Sequence, residues 1–277
     1  MENPRVSILL PTYNRAEILP SCIEAVISQD FSDWELIILD DCSDDRTQEV
    51  VKVYTNKDVR VSCHRNSLRK GTPANRNAGI ARSRGDLIFF IEDDLTLDAS
   101  CLRILVETYD SLGHQKKVGG IMPRLIEDTP ALDPQDCKDP MIFDHLTGEV
   151  FSHYSITCDS VIETISMHAC SLYPKSVLEE VGGYSTRYIG NYFREETDLD
   201  FRILKKGYKF YFNSAAFGYH KPIPRGSWKQ NSRMKLTYYI IRNHCVFVIR
   251  IFGFRALYMI PIYFLATLSR GLQSRIR

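Results

Sequence analysis

Residues 89–95 read Phe-Phe-Ile-Glu-Asp-Asp-Leu. An apolar run of buried-strand character ends in three consecutive carboxylates, Glu92, Asp93 and Asp94. Like charges this close repel, and burying them is costly unless a cation compensates. In an extended chain, residues i and i+2 point the same way. Glu92 and Asp94 therefore share one side, and Asp93 points elsewhere. Oxygen ligands of this type suit Mg²⁺ or Mn²⁺, ions that keep waters and share their shell with phosphates. Such an ion bridging a diphosphate would neutralise charge on a phosphate leaving group.

The elements that must position these carboxylates can be read around them. Val6 to Leu10 is an apolar run closed by Pro11, a strand followed by a loop. Ile18, Leu19, Cys22, Ile23, Val26 and Ile27 recur at helical spacing. Trp34 to Leu39 is a second strand, ending at Asp40-Asp41, and Ser43 and Asp44 are cap candidates for the helix that follows. Val59 to Cys63 reads as a strand, 73–83 as a helix and Leu87 to Ile91 as a fourth strand. This β-α-β-α-β-α-β alternation predicts a mostly parallel sheet sandwiched by helices. Ligands of such sheets sit beyond the carboxyl ends of the strands. Three strands here end in polar groups: Thr12-Tyr13-Asn14, Asp40-Asp41 and Glu92-Asp93-Asp94. No GxGxxG or phosphate-binding P-loop follows the first strand, which argues against a dinucleotide-dependent oxidoreductase.

Farther along, 125–160 lacks clear periodicity and reads as loops and short strands. A short helix stops at Gly182-Gly183. The next opens with Glu195, Glu196 and Asp198 and closes with basic residues, as the macrodipole favours. Gly207 stops it, and Lys209 to Phe212 is a strand.

The chain of 277 residues is 44% hydrophobic and 25% charged, enough for a proper core. Its net charge of +1 hides an asymmetry: the eleven Lys/Arg from Lys221 to Arg277 face no Asp/Glu, which leaves the first 220 residues at about −10. The tail is also rich in aromatic and aliphatic residues. Ala256 to Ser269 is uncharged and contains Pro261, shorter than the roughly 20 apolar residues a span needs. It predicts a helix lying in an anionic membrane surface, with Arg242, Asn243 and Arg250 at the headgroups. The alternative is packing on the catalytic domain or on a second copy as a homo-oligomer. Nucleic acid is a poor partner for an acidic body with so apolar a tail. The eight cysteines form no CxxC pair, and no secretory signal opens the chain, so reduced thiols at the cytoplasmic face are expected.

Five segments, in order, resemble an inverting family 2 glycosyltransferase of the GT-A fold: VSILLPTYNR, LIILDDCSDDRT, GTPANRNAGIARSRGDLIFFIEDD, VGGY followed by REETDLDFRILKKGY, and GYHKP. The resemblance covers about residues 4–222, taken as a catalytic domain (1–222) with a helical extension (223–277). It implies that Pro11, Thr12, Tyr13, Asn14, Arg15, Asp41 and Arg76 bind a nucleotide-diphosphate sugar, UDP being the commonest. Asp93 would touch the donor sugar or ribose. Asp94, Glu92 and His220 would hold Mn²⁺ or Mg²⁺, and Glu196 would be the base, placed six residues before Arg202. Gly182, Gly183, Glu195, Asp198 and Arg202 would line or support the acceptor side, for a glycan, polysaccharide or lipid-linked acceptor. Two departures stand out: Glu92 occupies the first place of the metal-binding DxD, and Glu196 replaces the usual Asp base. Plainer readings compete. Asp40-Asp41 could cap a turn, the acidic helix start could serve only the dipole, and His220 or Arg76 could be structural. A non-catalytic nucleotide-sugar-binding or scaffold protein of this fold is the rival function.

Overall fold

The computed structural model describes residues 3–113, 116–127, 138–221 and 233–276. Residues 128–137, part of the stretch expected as loops and short strands, and the expected domain boundary at 222/223 lie outside them. In chain order come β1 (Val6–Thr12), α1 (Leu19–Ile27), β2 (Trp34–Asp40), α2 (Thr47–Lys57), β3 (Val61–Arg65), α3 (Thr72–Arg82), β4 (Leu87–Phe90) and β5 (Leu95–Leu97). Then follow α4 (Cys101–Leu112), β6 (Val118–Glu127), β7 (Met141–Phe143), β8 (Val150–Ser152), β9 (Ile162–Thr164), β10 (Leu172–Pro174), α5 (Lys175–Glu180), α6 (Glu195–Lys205) and β11 (Lys209–His220). Two long helices finish the chain, α7 (Arg233–Phe252) and α8 (Ala256–Ile276), joined by a 3₁₀ turn at Gly253–Arg255.

The main sheet runs β3-β2-β1-β4-β10-β6-β11-β5, with β9 also paired to β11. β3, β2, β1 and β4 are parallel. β10 enters antiparallel between β4 and β6, and the long β6–β11 pair is parallel again. Side-chain alternation splits the core in two. Ile8, Leu10, Leu36 and Ile38 point to a cluster with Cys22, Ile23, Leu102 and Leu105 of α1 and α4. Leu9, Ile37 and Leu39 point to the opposite cluster with Ile80, Leu178, Leu199 and Ile203 of α3, α5 and α6. Strands buried on both faces have no polar face to show, which is why they read as continuous apolar runs.

Several boundaries differ from expectation. β3 starts at Val61, because Arg60 turns back on Asp58 and Val59 is fully exposed. β11 continues to His220, past an irregularity between Asn213 and Phe217 that breaks its alternation. Ser43 and Asp44 do not cap α2. Ser43 donates to Asp40 Oδ1 and Asp44 pairs with Asn14, while Asp45 accepts the Thr47 N–H at 2.9 Å.

The polar stripe on α7 faces the protein rather than lipid headgroups. Asn243 is buried and donates to Ile189 O, Arg250 donates to both oxygens of Asp198, and Arg242 donates to Arg187 O. The cause is simple: the domain before the hairpin offers a carboxylate and backbone carbonyls at the spacing of that stripe. A third apolar cluster, with Tyr188, Phe201, Phe247, Val248, Ile251 and Met259, seals the hairpin against α6. The opposite surface is apolar and open, including Ile249, Phe254, Leu257, Leu265 and Leu268.

Candidate active site

The strand order reverses between β1 and β4: β2 and β3 lie to one side and β4 to the other. Crevices form beyond the carboxyl ends of the strands at such a switch point. Here the crevice is a cleft of about 580 Å³. Pro11, Thr12, Tyr13 and Arg15 border it from the end of β1, Asp41 from beyond β2, and Glu92, Asp93 and Asp94 from beyond β4. Arg76 of α3, Glu195 and Glu196 of α6 and His220 of β11 complete the predicted residues found there. Asn14, Gly182, Gly183, Asp198 and Arg202 do not line it.

Glu92, Asp94 and His220 come together, with one ligand atom from each within 4.8 Å of the others. His220 Nε2 lies 3.6 Å from Asp94 Oδ1, and its Nδ1 lies 3.1 Å from Glu127 Oε1. Glu127 in turn accepts from the Tyr154 hydroxyl at 2.7 Å. A carboxylate behind a histidine is the usual outer support of a metal ligand. Asp94 and Glu127 push His220 up to about 9. Glu92 keeps 42% of its side chain open to the cleft. Even so, its depth in the fold pushes it up to about 7, against the pull of Arg76 and with Asp94 and Glu196 adding to the rise. A raised acid and a raised imidazole together mean a cluster short of positive charge. A divalent cation fits that deficit, and an O,O,N donor set suits Mn²⁺ or Mg²⁺. Asp93 turns away from the pair, although residues 92–94 form a turn closed by the Leu95 N–H on Glu92 O rather than extended strand, and it accepts from Thr12 Oγ1 at 2.9 Å beside Arg15 at 3.4 Å. Burial pushes it up to about 7 despite Arg15.

Arg76 is almost fully buried, 1% exposed. Its Nη1 donates to Glu196 at 2.8 Å and to Glu195 at 3.0 Å, and its Nη2 lies 3.8 Å from Glu92. The two glutamates differ in setting. Glu195 is 4% exposed and has one oxygen without a partner, and burial beside Glu196 pushes it well above the usual carboxylate range. Glu196 keeps 25% of its side chain open to the cleft. Of the pair, Glu196 is the one placed to take a proton from a bound molecule.

The remaining predicted residues build the frame. Asn14, with φ +55°, ties the β1 loop to Ser43 and Asp44. Asp41 accepts from the N–H groups of Lys70 and Gly71 at 2.8 Å and from Asn66 at 2.9 Å. Gly71 itself must be glycine: its φ is +86° and a Cβ would stand 2.1 Å from the Tyr192 hydroxyl. Arg202 donates to the carbonyls of Val181 and Gly183 and to buried Asp198, so it staples the glycine turn to α6.

Sequence reasoning missed Arg69, Glu127, Tyr154, His168 and Arg194. Arg69 lies 4.0 Å above the Tyr13 ring at the cleft wall. Glu127 pairs in register with His220 across β6 and β11, 93 positions away in sequence. Only Arg194 carried a local signal, as the cation immediately before the acid pair.

Residues 7–182 match the profile of "Glycosyl transferase family 2". The chain is 33% identical over 105 residues to the GalNAc(5)-diNAcBac-PP-undecaprenol beta-1,3-glucosyltransferase of Campylobacter jejuni, covering 38% of this chain and 34% of that one. It is 25% identical over 225 residues to glycosyltransferase AglE of Haloferax volcanii, covering 80% and 69%. The match thus spans about a third of the first relative's length. In structure it resembles S. aureus TarS 1–349 in complex with UDP-GlcNAc (TM-score 0.64, 16% identity, 94% of this chain and 71% of that one). It also resembles mannosyltransferase PcManGT of Pyrobaculum calidifontis in complex with GDP-Man and Mn²⁺ (0.63, 17%, 90% and 65%).

Proposed function

The chain belongs to glycosyl transferase family 2, and from that premise we propose that it moves a sugar from a nucleotide-diphosphate donor to an acceptor hydroxyl, with inversion, using a divalent ion and Glu196 as base. The observation that carries this reading is the double grip of Arg76, which holds Glu196 at 2.8 Å and lies 3.8 Å from Glu92. One buried guanidinium thus keeps the base and the cation-demanding cluster on the same wall of one cleft.

Glu196 takes the proton of the acceptor hydroxyl, and that oxygen attacks the anomeric carbon from the face opposite the diphosphate. One displacement with one base inverts the centre, unlike the paired carboxyls of most glycoside hydrolases. Glu92, Asp94 and His220 would hold Mn²⁺ or Mg²⁺, which supplies positive charge to the departing diphosphate. The β1 loop and Asp41 form the wall for the nucleotide. TarS and PcManGT were captured with UDP-GlcNAc and with GDP-Man, which supports a nucleotide-sugar donor, UDP being the first to test. The name of the Campylobacter relative, which acts on a diphosphoundecaprenol-linked glycan, supports a lipid-linked acceptor. The open apolar face of the α7–α8 hairpin supports work at a membrane surface, and the basic, acid-free sequence from Lys221 onward favours an anionic one. A scaffold without activity would not need Glu196 open to the cleft.

The test is sugar transfer, or donor hydrolysis, with Mn²⁺ or Mg²⁺. Glu196→Gln is expected to lose at least about 10²-fold in kcat while still binding UDP. Asp94→Asn is expected to need more metal. Undiminished turnover in Glu196→Gln would overturn the base, and full activity in excess chelator would overturn the metal.

A further inference from the structure

Arg194 has no task in the scheme above, yet it lines the cleft one residue before the acid pair. It is 5% exposed. Among the described residues its guanidinium has no hydrogen-bond or salt-bridge partner, and its Nε is a buried donor without an acceptor. Ring faces surround it instead: Phe193 at 4.4 Å and Phe247 of α7 at 5.7 Å. Tyr263, Glu149 and Tyr188 act on it only through space, and burial lowers it to about 10, so it stays charged at neutral pH.

A buried cation without acceptors is costly to keep. The backbone adds to that cost. Arg194 has φ +76° and Tyr192 φ +55°, both left-handed and neither glycine. Strain of this kind persists where surrounding structure enforces it, as at ligand clamps. The guanidinium fork matches phosphate oxygens better than any other side chain does. Its place narrows the ligand further. Arg194 stands where the cleft meets the hairpin, and the hairpin's outer surface carries Ile249, Phe254, Leu257 and Leu265 in the open. Arg194 meets the inward face of α7 at Phe247, and those open residues lie on the other face of the same hairpin, so a lipid diphosphate would bring a phosphate head to the cleft and an apolar tail to the membrane that the open face would meet.

We propose that Arg194 anchors a phosphate subsite on the acceptor side of the cleft, for a sugar carried on a lipid diphosphate. This rests on the transferase reading above and adds to it the residue that would hold the acceptor's diphosphate.

The test uses the full chain in mild detergent with calorimetric titration. In EDTA, so that the Glu92–Asp94–His220 cluster recruits no diphosphate through metal, farnesyl diphosphate is expected to bind the wild type. Arg194→Gln is expected to weaken it at least tenfold, and Arg194→Lys to fall between, because a point charge replaces a fork. UDP with Mn²⁺ is expected to bind wild type and Arg194→Gln alike. Unchanged farnesyl diphosphate affinity in Arg194→Gln overturns the subsite. Loss of UDP–Mn²⁺ affinity in the same variant overturns the acceptor assignment and moves Arg194 to the donor. Inorganic diphosphate binding as tightly as farnesyl diphosphate overturns the lipid assignment. Without ligand, Arg194→Gln is expected to melt at or above the wild-type temperature. A large fall in that temperature would mean that the cation serves folding, and would overturn the proposal. Glu196→Gln is expected to keep farnesyl diphosphate affinity, so failure of the base and failure of the subsite are read separately.

Discussion

His168 on the cleft wall has both ring nitrogens committed. Nδ1 accepts the Cys170 N–H at 3.2 Å, and Nε2 donates to Pro123 O at 2.9 Å. Only the neutral ring with its proton on Nε2 fits, since a second proton would meet another N–H. Burial accordingly lowers its pKa to about 4. The unfolded chain, with a pKa near 6.5, takes up that proton first. Stability from His168 is therefore whole above pH 6.5 and lost as pH falls toward 4, on the order of 2–3 kcal/mol. Between pH 7.5 and 5 the melting temperature of the wild type is expected to fall relative to that of His168→Gln, whatever the other groups do to both; a constant difference between the two curves would refute this. The residue shows where reading a sequence stops. Glu92 and Asp94 were legible as a carboxylate pair beyond a buried strand, but a turn closed by the Leu95 N–H on Glu92 O, rather than strand alternation, sets their side and that of Asp93. His168, Tyr154, Glu127 and Arg69 reach the site through tertiary packing, from positions that share no period with it.

At the scale of elements, the first turn of α6 serves two sides. Its first residues reach the cleft, while Asp198, in the same turn, accepts from Arg202 at 2.7 Å, Arg250 at 2.9 Å and the Tyr188 hydroxyl at 3.0 Å. Asp198 is fully buried, whereas Arg250 keeps 34% of its side chain exposed. Removing the buried hub strands two cations, so Asp198→Ala is expected to cost about 3 kcal/mol in urea unfolding. Arg250→Ala removes a partner that water can replace, and is expected to cost about 1 kcal/mol or less. Equal effects would argue against Asp198 as the hub. The acidic start and basic end of α6 were plain in the sequence, but the partner of Asp198 on α7 was not. Helical projection grouped Arg242, Asn243 and Arg250 correctly on one face. It could not say whether that face met lipid or protein, because both offer acceptors to arginine. β10 escaped notice because three residues carry too little alternation to register.

For the whole molecule, the charge and apolar content of the C-terminal region are those of a surface that would meet a membrane, once the inward polar stripe is set aside. Within Met234–Ser269 an 18-residue stretch has a mean hydropathy of 1.8, apolar enough by composition to cross a bilayer, but the chain folds back on itself at Gly253, so that His244 of α7 stacks on Tyr263 of α8. Phe254, Leu257, Leu265 and Leu268 remain mostly exposed on the outside. Each would gain roughly 1–2 kcal/mol by entering lipid. The full chain is expected to float with phosphatidylserine liposomes. A variant with all four changed to Ser is expected to stay at the bottom of the gradient while binding UDP as before. Wild type that stays soluble without detergent and does not float would refute the membrane reading.

The joint between hairpin and α6 is made of buried contacts, Asn243 on the carbonyl of Ile189 and Asp198 on Arg250, rather than of a slack linker. On a bilayer such a joint acts as a ruler. Glu196, two residues before Asp198 in the first turn of the same helix, would stand at a set height above the lipid plane. A hydroxyl on the first sugar of a growing chain and one several sugars farther out would meet the base at different heights. The length of the acceptor would then be measured by the rigidity of the mount, before any contact with the sugar itself.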